Sequence, residues 1–161
     1  VHLQATPRPA PMGEALSGMG YLLHCFHCLR RELQPGAVPT GSQECKSCGH
    51  RVAVAGPLWT GPLFDVGFCA KMLECAAQTT LAMPKEAFGL LAASLLEASA
   101  PPTYFTPGKL GAKLRRPLRP RAEIAGEIRR RGYSFVETHF EASAFRTDAP
   151  VEAILDVLGA R

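Results

Sequence analysis

The spacing of apolar and polar residues divides the chain into a strand-bearing first part and a mainly helical second part. Short runs that alternate between apolar and polar residues, at positions 21–26 and 51–55, predict two strands. The segment before them, residues 1–19, is rich in Pro, Gly and Ala without periodicity, which predicts a linker from a missing N-terminal domain. We therefore expect a ribbon module over residues 20–64 and a second unit over residues 65–161.

Helical spacing begins directly after the predicted ribbon. Asp65 is placed to N-cap a helix in which Val66 and Cys69 share one face. A second helix is expected from near Pro84, where proline suits the first turn, to the stop before Pro101. The pattern therefore predicts a helical segment between the ribbon and the rest of the chain.

The remainder of the chain predicts a compact unit of helices with a strand. Helices are expected over residues 106–114 and 119–131, and Asp148 is placed to cap a last helix. Residues 133–140 alternate and contain β-branched and aromatic residues, which favours a strand. This order, with a basic second helix, is reminiscent of a winged helix. The predicted fold class is α+β: a four-cysteine zinc ribbon, a helical segment and a winged-helix-like unit.

Four of the six cysteines form two Cys-x2-Cys pairs, Cys25 with Cys28 and Cys45 with Cys48. Such a turn brings two thiolates to one side of a tight loop, and two such turns build a tetrahedral zinc site. Gly49, after the second pair, provides the backbone freedom that these turns need. Because four thiolates leave no position for water, the predicted Zn²⁺ is structural.

Other histidines and thiols near these pairs have different predicted roles. His24, His27 and His50 lie beside the cysteines and are expected around the sulfur atoms rather than as zinc ligands. Cys69 and Cys75 are expected on different faces of one helix, as buried small hydrophobic residues.

Positive charge is concentrated in one stretch of the chain. The net charge of +4 divides into +7 over residues 101–131 and −3 over the rest. Such segregation is typical of a polyanion-binding surface, because each cation beside a phosphate releases a condensed counterion. A solvated, arginine-rich linker is the alternative. The candidate phosphate contacts are Lys109, Lys113, Arg115, Arg116, Arg119, Arg121, Arg129, Arg130 and Arg131.

The sequence carries no pattern that assigns catalysis. No Gly-rich phosphate loop or His-Glu-x-x-His motif occurs, so no catalytic residue is assigned and the chain alone is not expected to be catalytic.

No apolar run approaches the roughly 20 residues that cross a bilayer, so no membrane partner is expected. Trp59, the single tryptophan, is expected to pack in the core rather than to stack on RNA. The free-cysteine pattern predicts an intracellular protein, in the nucleus, cytoplasm or mitochondrion.

Two blocks of sequence are similar to a known family. The first is GYLLHC at residues 20–25 with SCGH at 47–50, which runs into VAGPLWTGPLFD at residues 54–65. The second is THF at residues 138–140 followed by RTDAP at residues 146–150. Together they resemble the C-terminal domain of the tRNA (guanine-26) N2-dimethyltransferase family, including its methyltransferase-like paralogues.

The resemblance implies an S-adenosylmethionine-dependent enzyme that methylates N2 of a tRNA guanine once or twice. It implies that the cofactor and the catalytic residue belong to an N-terminal methyltransferase domain that this chain lacks. The present chain would then grip tRNA and pack on that domain. His139 and Arg146 lie in the similar blocks and join the candidate tRNA contacts.

Two other classes of function stay open from the sequence. A DNA-binding zinc-ribbon and winged-helix transcription component would prefer duplex DNA to folded tRNA. A non-catalytic interaction scaffold would bind no nucleic acid while its zinc site was intact.

Overall fold

The computed structural model describes residues 12–78 and 85–159, which belong to two compact units that divide after Gly61. The N-terminal unit contains α1 (Met12–Ser17) and three strands: β1 (Met19–His24), β2 (Arg31–Pro35) and β3 (Ala53–Trp59). The central strand is β1, which pairs antiparallel with both neighbours.

This unit differs from the sequence prediction at three places. Residues 12–17 are helical and β1 begins at Met19, where a linker was predicted. The strand predicted at 51–55 lies further along the chain, over Ala53–Trp59. Strand β2 was not predicted, because its sequence RELQP has a single large apolar residue, Leu33, and it is held by backbone pairing to β1.

The C-terminal unit is formed by five helices and one small hairpin in the described residues 62–78 and 85–159. The helices are α2 (Val66–Gln78), α3 (Lys85–Glu97), α4 (Pro107–Leu114), α5 (Arg121–Arg130) and α6 (Val151–Gly159). The hairpin pairs β4 (Val136–Glu137) with β5 (Phe145–Arg146). Helix α2 packs on α3, and α6 packs on α5 and α4. The largest fully buried apolar side chains are Leu110, Ile124, Ile128, Phe145, Ile154 and Val157.

Several predicted boundaries of this unit are confirmed. The carboxylate of Asp65 accepts a hydrogen bond of 2.7 Å from the backbone N–H of Phe68, as an N-cap does. Helix α4 begins at Pro107 as expected, and Gly132 follows α5 with a φ of +86°. The predicted start at Pro84 lies outside the described residues.

Two predictions for the end of the unit are wrong. The expected strand at 133–140 is reduced to the two residues of β4. Asp148 does not cap α6, because its carboxylate accepts hydrogen bonds from the backbone N–H of Ser134 at 2.8 Å and from its hydroxyl at 2.9 Å. With so short a hairpin, the winged-helix assignment has no support, while the mixed α+β class is confirmed.

No helix in residues 12–78 and 85–159 is long and apolar enough to cross a membrane.

Candidate zinc site and nucleic-acid interface

The two Cys-x2-Cys pairs lie at the ends of two adjacent turns of the N-terminal unit. The first pair, Cys25 and Cys28, lies in the turn between β1 and β2. The second pair, Cys45 and Cys48, lies between β2 and β3, in a loop closed by a bridge from Glu44 to Arg51. This topology brings all four thiols together.

Both turns have the same backbone construction. The N–H of Leu29 donates to the carbonyl of Cys25 at 2.8 Å, and the N–H of Gly49 donates to the carbonyl of Cys45 at 2.8 Å. Leu29 and Gly49 both have positive φ, 66° and 71°. The role predicted for Gly49 is therefore confirmed. Leu29 has the equivalent role in the first turn, although its side chain gave no signal of it.

The four sulfur atoms fit a single zinc ion. All four lie within 4.8 Å of one another, and none forms a disulfide. The Sγ atoms of Cys25 and Cys48 are 3.5 Å apart, and those of Cys28 and Cys45 are 3.4 Å apart. A tetrahedron with Zn–S distances of about 2.3 Å has edges of about 3.8 Å. The sulfur cluster is therefore close to the size that a tetrahedral thiolate site requires.

The environment of the four thiols separates their acidities. Burial raises the pKa of Cys45, but backbone N–H donors at Ser47 and Cys48 and the Cys28 thiol outweigh it, so the pKa falls to about 6. Burial raises the pKa of Cys28 to about 12. The Cys45 thiolate therefore forms readily, whereas the Cys28 thiolate requires a bound cation to stabilise its negative charge.

The neighbouring histidines flank this cluster. The rings of His27 and His50 are stacked with centroids 3.6 Å apart, and both residues are exposed. His27, His50 and Cys48 also place ligand atoms within 4.8 Å of one another. His24 stands edge-on to Phe26 at 4.6 Å. The four thiols provide all four ligand atoms of a tetrahedral zinc site, so none of these histidines is needed as a ligand.

Three other predicted positions have mixed outcomes. Cys69 is buried as expected, but Cys75 is exposed on the other side of α2, so the prediction for Cys75 is wrong. Trp59 is 47% exposed rather than fully packed in a core. Its ring lies against Gly18 and Gly61, where added Cβ atoms would come within 2.0 and 2.8 Å of it.

Most of the predicted phosphate-binding arginines hold the C-terminal unit together. Arg116 donates to the carbonyl of Leu158, and Arg119 donates to that of Val157 at 2.5 Å. Both therefore bind the carbonyl end of α6, a favourable place for a cation. Arg121 pairs with Glu137 at 3.1 Å.

The arginines of α5 and its end are also engaged. Arg129 donates to the carbonyl of Phe135 at 2.9 Å. Arg130 pairs with Glu127, and Arg131 pairs with both Glu127 and Asp156. These pairs lower the number of cations that are available to a polyanion.

Three predicted cations remain exposed without a partner among the described residues. Lys109 and Lys113 are four residues apart on α4, and Arg115 follows at the end of that helix with a φ of 51°. Residues at this spacing share one helix face. These three residues, Lys109 and Lys113 on one face of α4 and Arg115 at its end, are termed the α4 cations; among the described residues they are the predicted cations without a partner and are free to meet phosphate.

Arg146 and His139 belong to a cluster around the buried carboxylate of Glu97. Arg146 is fully buried, and its Nε lies 3.0 Å from Glu97 Oε2. Its predicted contact with tRNA is therefore wrong, since the guanidinium has no access to a phosphate. The Nδ1 atom of His139 lies 2.7 Å from Glu97 Oε1, and the His139 side chain keeps 23% exposure.

A four-thiol ribbon and a group of exposed cations are both typical of nucleic-acid-binding proteins. Residues 1–159 match the family described as N2,N2-dimethylguanosine tRNA methyltransferase, and the chain belongs to that family. The resemblance seen in the sequence is thereby confirmed at the level of the family.

Individual relatives and one solved structure agree with this assignment. The chain is 32% identical to the tRNA (guanine(26)-N(2))-dimethyltransferase of Methanosphaera stadtmanae, over 90% of this chain and 37% of that protein. It is 39% identical to the enzyme of the same name from Pyrococcus abyssi, over 90% of this chain and 35% of that protein. Trm1 from Pyrococcus horikoshii, solved with S-adenosyl-L-methionine, superposes with a TM-score of 0.74 at 28% identity, over 90% of this chain and 36% of that chain. The chain thus spans little more than a third of the length of these relatives.

The same comparisons correct part of the sequence interpretation. The family match begins at residue 1, which contradicts the expectation that the family's catalytic part is absent from this chain. The comparisons also give no support to a C-terminal placement or to a separate N-terminal methyltransferase domain as partner.

Proposed function

We propose that this chain acts in a tRNA guanine-N2 methyltransferase, and that the α4 cations hold the tRNA backbone during methylation. The family match over residues 1–159 is the observation that supports the reaction class. It also favours RNA over the DNA-binding and scaffold alternatives. A guanine within folded tRNA must leave its stack before a methyl donor can reach N2, so a surface that grips the backbone contributes to the reaction.

The proposed methyl donor is S-adenosylmethionine, which the Pyrococcus horikoshii relative binds. It would supply the methyl group to the guanine nitrogen. Among residues 12–78 and 85–159, no glycine-rich loop joins a strand to the start of a helix, the usual site for a nucleotide-like cofactor. We therefore assign none of the described residues to this cofactor.

The proposed zinc ion has a structural role in the ribbon. Cys25, Cys28, Cys45 and Cys48 would bind it as thiolates, joining the two turns across the end of the three-stranded sheet. A site of this kind stabilises the folded ribbon directly. Free thiols that bind zinc also suit the reducing intracellular compartment in which we place the protein.

The test of the tRNA role is a salt titration of binding. We expect Lys109→Gln with Lys113→Gln to weaken binding of a tRNA transcript and to reduce the slope of log K against log salt concentration by up to about 1.8, for two lost phosphate contacts. Lys71→Gln is the matched control, because Lys71 is an exposed lysine on α2 of the same unit. Equal slopes for the double variant and the control would contradict the proposal.

Arginine variants provide a second comparison. Arg116→Ala and Arg119→Ala each remove a hydrogen-bond donor to a carbonyl at the end of α6. We therefore expect both substitutions to lower the free energy of unfolding of the C-terminal unit. Where these variants are still folded, their salt slope should equal that of the unaltered protein.

A further inference from the structure

An exposed aromatic ring rests on the buried polar cluster of the C-terminal unit. Phe140 is 55% exposed. The guanidinium carbon of Arg146 lies over the ring, 5.2 Å from its centroid. Because Arg146 is fully buried, this covered face is turned toward the protein. More than half of Phe140 therefore stays open to solvent, although the guanidinium lies over its ring.

The backbone that carries Phe140 is fixed by Glu97. The hydroxyl of Thr138 donates to Glu97 Oε2 at 2.7 Å, and the backbone N–H of His139 donates to Oε1 at 2.7 Å. Together with the contact from His139 Nδ1, one buried carboxylate holds three polar groups of two consecutive residues. The ring is thus positioned before any ligand arrives, which lowers the entropy lost on binding.

Two further rings border Phe140. The His139 ring has its centroid 4.1 Å away, and the Tyr104 ring is nearly parallel to that of Phe140, at 12° with centroids 6.4 Å apart. Since Nδ1 of His139 is engaged with Glu97, Nε2 is the ring nitrogen left to meet a ligand. An exposed aromatic ring with a hydrogen-bonding nitrogen close beside it suits a nucleobase.

We propose that Phe140, bordered by Tyr104 and His139, is a stacking platform for one unstacked base of the bound RNA. This inference rests on the proposed function. Every base has a π-face, and aromatic side chains bind such faces beside a cationic groove that follows the backbone. The first of the α4 cations, Lys109, follows Tyr104 by five residues, a distance of at most about 17 Å along the chain. The backbone positions of Tyr104 and Lys109 are therefore close enough for one stretch of RNA to span them both.

The experiment compares binding of a tRNA transcript, and of a single-stranded RNA that contains 2-aminopurine, to three variants of the full chain. Phe140→Leu keeps an apolar side chain and removes the π-face, whereas Phe140→Tyr keeps the π-face. Phe88→Leu is the matched control, since Phe88 is 45% exposed on α3. Thermal unfolding of each variant checks that the fold is kept, as expected for substitutions at exposed positions.

We expect Phe140→Leu to weaken RNA binding roughly 5- to 100-fold, while Phe140→Tyr and Phe88→Leu keep the original affinity. Quenching of 2-aminopurine, a signature of stacking, should be lost only in Phe140→Leu. The salt slope should not change, because no phosphate contact is removed. Full affinity of Phe140→Leu alongside normal salt dependence would overturn the platform and leave the proposed function intact. Absence of any RNA binding by the unaltered protein would overturn both.

Discussion

The carboxylate of Glu97 gives the sharpest prediction for stability. Its side chain is fully buried and lies 3.0 Å from Arg146, which is also fully buried. Glu97→Ala would leave the guanidinium without a counter-charge and would remove the acceptor of Thr138 and His139. Breaking a buried pair on one side costs about 3–5 kcal/mol. This is a large part of the roughly 5–15 kcal/mol that stabilises a typical domain.

Urea denaturation followed by circular dichroism at neutral pH measures this loss. The matched control is Glu86→Ala, which removes an exposed carboxylate from the first turn of the same helix, α3, and should cost less than about 1 kcal/mol. Glu97→Leu combined with Arg146→Met removes both charges, and we expect it to be more stable than Glu97→Ala. A loss for Glu97→Ala that equals that of Glu86→Ala would refute the reasoning.

The pH dependence of this stability has a definite sign. Burial raises the pKa of Glu97, but hydrogen bonds from Thr138 and His139 and the charge of Arg146 outweigh it, so the pKa is lowered below its ordinary value of 4.5. A carboxyl group with a lower pKa in the folded state stabilises the fold above the unfolded-state pKa and loses that contribution as the pH falls through the folded-state pKa. The stability difference between the unaltered protein and Glu97→Gln should therefore shrink as the solution is acidified below about pH 4.5.

Three further changes test other parts of the fold. Chelation of zinc should remove about 10 kcal/mol of binding free energy from the ribbon. Amide-exchange protection of β1–β3 should therefore be lost, while that of α5 and α6 is kept. Unchanged protection of the strands would contradict the zinc assignment. Asp65→Ala should cost about 1 kcal/mol through loss of the α2 cap, and Asp65→Asn should cost less, as measured by urea midpoints. Ile128→Ala should cost about 2–5 kcal/mol, because the side chain is 1% exposed, whereas Leu96→Ala, at a position 70% exposed, should cost under about 0.5 kcal/mol.

Features that depend on neighbours in the sequence were predictable. The cap at Asp65, the helix start at Pro107 and the left-handed Gly132 each follow from the conformational preference of a single residue type. The cluster of four cysteines was predictable for a similar reason, since each pair of thiols is placed by one tight turn. Only the meeting of the two turns depends on the fold of the sheet.

Features that depend on distant partners were not predictable. Strand β2 forms because β1 provides its backbone hydrogen bonds, although its own apolar pattern is weak. Aspartate is a residue type that often caps helices, but the carboxylate of Asp148 accepts two hydrogen bonds from Ser134 instead. In both cases a tertiary contact decides between local alternatives that the sequence leaves equal.

The basic stretch shows how this distinction changes a functional interpretation. Counting charges treats every lysine and arginine as a phosphate ligand, but a guanidinium has several donors and equally suits helix carbonyls and buried carboxylates. Arg116 and Arg119 of this stretch bind helix carbonyls, and Arg146 outside it binds a buried carboxylate, whereas the α4 cations have no such partner among the described residues. Arg146 and Glu97 also support the segment that carries Phe140, so they would contribute indirectly to the proposed stacking of an RNA base. Loss of RNA affinity in an arginine variant is therefore informative only after its stability has been measured.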